Sequence, residues 1–105
     1  MTTFDDRQKS FEAKFAHDAD LKFKVAARRD KLVGLWAAGK LGLTGDAADA
    51  YAKSIIVADL EEAGDEDVVR KLVADLGAKG VAEAEVRAAL AEQGEVARRQ
   101  IMEAM

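Results

Sequence analysis

The distribution of glycine and proline constrains the fold of this chain more than any other sequence feature. Its 105 residues include eight glycines and no proline. Because these two residue types are the least compatible with a helix interior, long glycine-free stretches permit long helices, and the glycines mark the breaks between them. No stretch shows the sustained alternation of β-branched or aromatic residues that is typical of a strand. The sequence therefore predicts an all-α fold.

Four core helices are predicted between the glycine breaks, over residues 20–39, 46–63, 65–79 and 82–104. Asp18 or Asp20 can cap the first helix, and Gly39 can take the left-handed conformation that ends it. Gly94 lies inside the last helix, where it predicts a bend or local fraying.

Apolar residues recur in each helix at three- and four-residue spacing, which predicts one buried stripe per helix. The predicted stripes are Leu21, Val25, Leu32, Leu35 and Trp36; Ala48, Tyr51, Ala52, Ile55, Ala58 and Leu60; Val68, Val69, Leu72, Val73 and Leu76; and Val86, Ala89, Leu90, Ala97, Ile101 and Met105. Isolated helices of this length are marginal in water, so the stripes must pack together. Residues 19–105 are therefore predicted to form a four-helix bundle.

The N-terminal segment, residues 1–18, has a different composition, with three of the four phenylalanines and no leucine, isoleucine or valine. Drawn as a helix, it projects Phe4, Phe11 and Phe15 within about 40° of one another. This aromatic ridge is narrow, which favours a mobile or loosely docked segment that folds into the groove of a partner. The alternative is a docked helix whose Phe11 and Phe15 cover the core near Phe23. The residues leave both interpretations open.

Charge is unevenly distributed along the chain. Residues 20–45 carry six Lys or Arg against two Asp, whereas residues 46–69 carry eight Asp or Glu against one Lys. Such asymmetry can steer a protein onto a partner, but in a small helical domain it more often reflects attraction between neighbouring helices. We prefer the second interpretation.

Several kinds of chemistry can be set aside. The chain has no cysteine, which excludes disulfides and thiolate sites. Gly34, Gly39 and Lys40 fit the spacing of a phosphate-binding loop, but Leu41 replaces the required Ser or Thr. The acidic residues from Asp59 to Asp67 do not follow a calcium-loop pattern. A single histidine, His17, excludes a multi-histidine metal site, and we interpret it as solvated.

Four stretches resemble the zeta-subunit family of the alphaproteobacterial F-type ATP synthase; in chain order they are MTTFDDRQKSFEAKFAHD, ARRDKLVGLWAAGKLGLTG, AYAK and DLEEAGDEDV. Their order and spacing make the resemblance specific. It implies a non-enzymatic ATPase inhibitor whose N-terminal segment blocks hydrolysis at an interface between the alpha and beta subunits, near the gamma rotor. The residues that match the family's inhibitory stretch are Phe4, Asp5, Asp6, Arg7, Phe11, Lys14 and Phe15.

The resemblance also implies where the protein works. We expect a cytoplasmic protein, because no leader peptide or membrane span is evident. The resemblance places it at the periphery of the inner membrane through its binding to the synthase. We expect a monomer when free, with no cofactor and no nucleic-acid partner. Weak ATP or ADP binding by Arg28, Arg29 and Lys31 is a side hypothesis. The alternative function is a helical adaptor, or a weak nucleotide-binding regulatory module, that acts on another partner.

Overall fold

The computed structural model describes residues 3–61 and 64–104, and the side chains of residues 6–61 and 64–104. Its five α-helices are α1 (Thr3–His17), α2 (Ala19–Lys40), α3 (Gly45–Glu61), α4 (Glu66–Leu76) and α5 (Glu83–Ala104), and a 3-10 turn (Gly77–Lys79) follows α4. All regular structure in the described residues is helical, which confirms the all-α class. Glu62 and Ala63, at the end of the second predicted helix, and Met105, the last residue of the predicted stripes, lie outside the described residues.

Local hydrogen bonds explain both ends of α2. Asp18 is the residue that caps its start, because its side chain accepts a hydrogen bond from the backbone N–H of Leu21 at 3.1 Å. At the other end Gly42, with φ +77°, takes the left-handed conformation predicted for Gly39. The next N–H, from Leu43, donates to the carbonyl of Ala38 at 2.9 Å and closes the end of the helix.

The larger apolar cluster, which we call the main core, joins α2, α3, α4 and α5. Its buried residues are Val33, Ala37, Ile55, Val68, Val69, Leu72, Leu76, Val81, Val86, Ala89 and Leu90, and Trp36 and Tyr51 pack against it partly buried. In α4 the predicted stripe is correct at Val68, Val69, Leu72 and Leu76, all of which are buried. The main core thus makes the four-helix part of the molecule a continuous body.

The buried face of α2 is as predicted at Leu21 and Val25, but it differs from the prediction in the second half of the helix. Leu32, Leu35 and Trp36 are only partly buried there. The buried residues are instead the smaller ones on a neighbouring face: Val33, Gly34, Ala37 and Ala38. The cause is a close approach of α3, since a Cβ at Gly34 would lie 2.7 Å from the Cα of Ala52. Small residues let two helix backbones come together, so they occupy the contact in place of the large ones.

Two further predictions on the helix faces are corrected. Leu60, expected to face inward, is 62% exposed. It lies about 140° around α3 from the buried Ile55, because each residue of a helix advances about 100°. The predicted fraying at Gly94 is also wrong, because α5 is one continuous helix from Glu83 to Ala104.

The N-terminal helix α1 lies on the outside of this body, against α2 and α5. It is thus a fifth helix in addition to the four predicted for the bundle. Among the described helices, none has the combination of length and apolar character that crossing a membrane requires.

Candidate functional site

A second apolar cluster, which we call the N-terminal cluster, holds α1 against the rest of the molecule. Phe11 of α1, Leu21 and Val25 of α2, and Ala97 and Met102 of α5 are buried in it. Phe15, Leu32 and Ile101 pack around it, partly buried. It is separate from the main core, so α1 packs on a contact surface that is distinct from the main core.

Two rings of α1, those of Phe11 and Phe15, form a stacked pair beneath a guanidinium group. The centroids of Phe11 and Phe15 are 5.7 Å apart, with 20° between the ring planes. The Cζ atom of Arg98, on α5, lies 4.8 Å from the Phe15 centroid and 6.0 Å from the Phe11 centroid. Lys22 Nζ is 6.0 Å from the Phe15 centroid. A cation within about 6 Å of a ring is attracted to the negative face of that ring, so both groups favour the docked position of α1.

The structure divides the predicted inhibitory residues into two groups. Phe11 is 3% exposed and Phe15 is partly buried, whereas Asp6, Arg7 and Lys14 are exposed. The side chains of Phe4 and Asp5 lie outside the described residues. Phe11 and Phe15 therefore contact the bundle, while Asp6, Arg7 and Lys14 face solvent.

The arrangement of α1 is that of the docked-helix alternative, with one difference. Phe11 and Phe15 pack on Leu21 and Val25 of α2 and on α5. Phe23, near which we expected them, is 54% exposed and does not belong to the N-terminal cluster. Leu21 and Val25 share one face of α2, and Phe23 falls between them on a different face.

A buried carboxylate lies on α2 between the residues that this helix gives to the two clusters. Asp30 is 1% exposed, and its Oδ1 atom is 2.9 Å from an amino nitrogen of Arg29. Arg29 also reaches Asp59 of α3 at 3.5 Å and Asp65, just before α4, at 2.9 Å. The pairs with Asp59 and Asp65 join the basic part of the chain to the acidic part, which supports, for Arg29, attraction between neighbouring elements as the reason for the uneven charge.

Burial controls the protonation of this charged group. Burial and a hydrogen bond with Asp59 together raise the pKa of Asp30 to about 8, against the opposing effect of Arg29. Burial lowers the pKa of Arg29, but the charges and hydrogen bonds of Asp30 and Asp65 outweigh it, so the net change is upward. Asp30 thus keeps its proton around neutral pH, while Arg29 stays charged.

The basic residues considered for nucleotide binding are not grouped as a site. Arg29 is engaged by Asp30, Asp59 and Asp65, and Arg28 donates to Gln100 on α5 at 3.1 Å. Lys31 is exposed. Binding of ATP or ADP stays a prediction.

Two residues that the sequence analysis did not select contribute to this region. Arg98 follows the stripe residue Ala97 and was indistinguishable in sequence from a solvated arginine. Asp30 stood among basic residues on α2 and gave no signal of burial. A helical wheel that placed Ala97 inward would have set Arg98 beside the core, but not over the rings of α1.

Together, the fold and the site define a class: a small helical bundle that carries on its outside an N-terminal helix, two of whose aromatic residues, Phe11 and Phe15, pack on the bundle. The family described as ATPase inhibitor subunit zeta matches residues 1–100, and the chain belongs to that family. The match includes the N-terminal helix as well as most of the bundle.

A solved structure shares this fold. A protein whose structure was determined in solution by NMR is 50% identical to this chain, with a TM-score of 0.74. The alignment covers 81% of this chain and 99% of the solved one. A search of curated proteins found no match. The family name indicates a regulatory partner of an ATP synthase rather than a catalyst.

Proposed function

We propose that this protein inhibits ATP hydrolysis by an F-type ATP synthase by inserting its N-terminal helix at a catalytic interface between the alpha and beta subunits, close to the gamma rotor. The observation that carries the proposal is the family match, which begins at residue 1 and so includes the whole helix. The partner surface is formed by the residues predicted from the resemblance: Phe4, Asp5, Asp6, Arg7, Phe11, Lys14 and Phe15.

The chemistry of α1 supports this role. Residues 6–10 and 12–14, which flank the rings of Phe11 and Phe15, are all exposed. All of them are polar except Ala13. A helix with few apolar contacts of its own can leave the bundle and bury its rings elsewhere. In an interface, desolvated aromatic and arginine side chains usually contribute most of the binding energy, so Phe11, Phe15 and Arg7 are the expected anchors.

The bundle has a separate part in the proposed mechanism. The main core does not include α1, so the bundle keeps its structure when α1 moves. Contacts between the bundle and the synthase raise the effective concentration of the attached helix at its target.

An ATP hydrolysis assay on the isolated synthase head tests the proposal directly. The full chain should inhibit, and a chain without residues 1–17 should not. Truncation also exposes Leu21, Val25 and Met102, so a full-length variant is needed beside it. Lys14→Glu serves, because Lys14 is exposed in the free protein and its reversal should weaken inhibition without unfolding the chain.

The matched control is Lys24→Glu, which makes the same charge change at an exposed position of α2. It should inhibit like the natural chain. Full inhibition by the truncated chain would overturn the proposed mechanism. Absence of inhibition by the natural chain would favour an adaptor that acts on another partner.

A further inference from the structure

We infer that Arg98 is a clamp that holds α1 on the bundle through the Phe11–Phe15 pair, and that its strength sets how much of the protein is available to inhibit. This inference rests on the proposed function. Arg98 would be a positioning residue, because it acts through the two rings and need not touch the synthase.

Few of the described side chains of α1 attach it to the bundle. Among the described side chains of α1, Phe11 is the buried one and Phe15 the partly buried one. Both rings meet the same residue of α5, with Arg98 Cζ at 6.0 Å and 4.8 Å from their centroids. One guanidinium therefore contacts both of the rings that attach α1.

The flexible aliphatic stem of Arg98 also contributes to the contact between α1 and the bundle. The side chain is partly buried, and it lines the cleft between α1 and α5 together with Gln8, Glu12, Glu95 and Met102. An arginine packs its apolar stem against neighbours while its planar head stacks on rings. Truncation at this position would remove both contacts from one side of the ring pair.

The two proposed positions of the rings exclude each other. Phe11 is 3% exposed in the docked state, so it cannot enter an interface of the synthase without leaving the N-terminal cluster. When only the undocked fraction can bind, the apparent dissociation constant equals the intrinsic one divided by that fraction. A weaker clamp should therefore make a more potent inhibitor.

The first test measures docking in the free protein by amide exchange across residues 8–15. Arg98→Ala should speed exchange about threefold to tenfold, which is the range expected for loss of a half-buried cation–π contact. Arg98→Lys should lie between this variant and the natural chain, because lysine keeps the cation but loses the planar stacking. Arg99→Ala is the matched control: it removes the same charge from an exposed neighbour in the same cleft and should leave exchange unchanged.

The second test measures inhibition of ATP hydrolysis with the same proteins. Arg98→Ala should lower the concentration needed for half inhibition by the same factor by which it speeds exchange, since both report the undocked fraction. Arg99→Ala should match the natural chain. Higher half-inhibitory concentrations for Arg98→Ala would overturn the inference, because they would place Arg98 at the synthase interface instead.

A reversible cross-link tests the opposite limit. Glu12 and Glu95 face the same cleft from α1 and α5, and the natural chain has no cysteine to interfere. Glu12→Cys with Glu95→Cys, joined by a reducible bismaleimide, should abolish inhibition, and cleavage of the linker should restore it. Full inhibition by the cross-linked protein would overturn the clamp.

The outcomes separate the clamp from the proposed function. Unchanged exchange in Arg98→Ala would overturn the clamp even if the natural chain inhibits. Faster exchange in that variant, with no inhibition by any protein, would contradict the proposed function and leave the clamp supported as a property of the free chain.

Discussion

The main core and the N-terminal cluster are built differently, although both contain residues of α2 and α5. The main core gathers aliphatic side chains from four helices, with Val33, Ile55 and Leu72 fully buried. The N-terminal cluster has five buried residues, one of which is Phe11, and its outer side is covered by Arg98. The first therefore stabilises the fold, whereas the second attaches one terminal helix.

A polar layer lies between the two clusters. On α2, Asp30 falls between Val25 of the N-terminal cluster and Val33 of the main core. On α5, Gly94 falls between Leu90 and Ala97, and a Cβ there would lie 3.6 Å from the Cδ atom of Arg29. The stem of Arg29 therefore passes beside Gly94 in this layer. This division implies that the two clusters can respond separately to mutation.

The largest expected effect is in the main core. Leu72→Ala should reduce the free energy of unfolding by about 2–5 kcal/mol, because it leaves a cavity among buried aliphatic side chains. That is a large part of the about 5–15 kcal/mol typical of a small domain. Urea unfolding followed by circular dichroism measures the loss. The control is Leu60→Ala at a 62% exposed position, which should change stability by less than about 0.5 kcal/mol.

A smaller effect is expected in the N-terminal cluster. A buried phenylalanine usually loses about 3–5 kcal/mol on truncation to alanine. Phe11→Ala should lower the free energy of unfolding by only about 1–2 kcal/mol, because α1 can separate before the bundle unfolds, and the loss cannot exceed the docking free energy. Loss of the ring frees α1 but also removes an expected anchor at the synthase, and we expect the loss of the anchor to dominate, so inhibition should weaken. Thermal melting and the hydrolysis assay measure the two effects.

Phe23→Ala is the control for this comparison, since Phe23 is 54% exposed on α2. It should leave the melting temperature almost unchanged. If Phe11→Ala destabilised the chain as much as Leu72→Ala, the two clusters would form one cooperative unit and the comparison would fail.

The polar layer should make stability depend on pH. The pKa of Asp30 is raised to about 8 in the folded chain, and an aspartate in an unfolded chain titrates near 4. The folded state therefore binds the extra proton between these values. Its free energy of unfolding falls as pH rises through that window, by at most about 1.4 kcal/mol per pH unit.

Asp30→Asn tests this expectation, because an amide cannot ionise and should flatten the dependence. Urea unfolding at intervals between about pH 5 and 8 measures the slope for both proteins. Asp49→Asn changes an exposed carboxylate on α3 and should keep the natural slope. An unchanged slope in Asp30→Asn would show that other groups cause it.

The smallest expected effect is a gain in stability. Gly94→Ala should stabilise the chain by up to about 1 kcal/mol, because alanine favours the helix over glycine. The added Cβ meets the Arg29 stem at an ordinary contact distance of 3.6 Å. A rise in melting temperature is expected. A fall would mean that Arg29 needs the open space, and that the polar layer is packed more tightly than its distances indicate.

Sequence reasoning could predict the helical class because glycine placement and apolar spacing are local properties. The stripe of α4 was correct since Val68, Val69, Leu72 and Leu76 form the evident apolar face of a short helix. The predicted face of α2 was wrong in the second half of the helix, because contact with α3 favours small residues at Gly34 and Ala52, which hydrophobicity alone does not rank.

The candidate site was predictable only in part, for a similar reason. Phe11 and Phe15 stood out as aromatic residues in a segment without aliphatic ones. Their present neighbours did not, because Arg98 is more than eighty residues away in the chain. The roles of the predicted partner residues in binding the synthase stay a proposal.

The position of the single tryptophan offers a way to observe the bundle alone. Trp36 packs against the main core with Lys40 Nζ 5.8 Å from its ring, and Tyr51 packs there as well. The described rings of the N-terminal cluster are phenylalanines, which contribute almost nothing to near-ultraviolet emission when tryptophan is excited selectively. Intrinsic fluorescence should therefore stay constant while α1 undocks and change only when the bundle unfolds. Unlabelled protein thus gives a fluorescence signal that reports on the bundle alone.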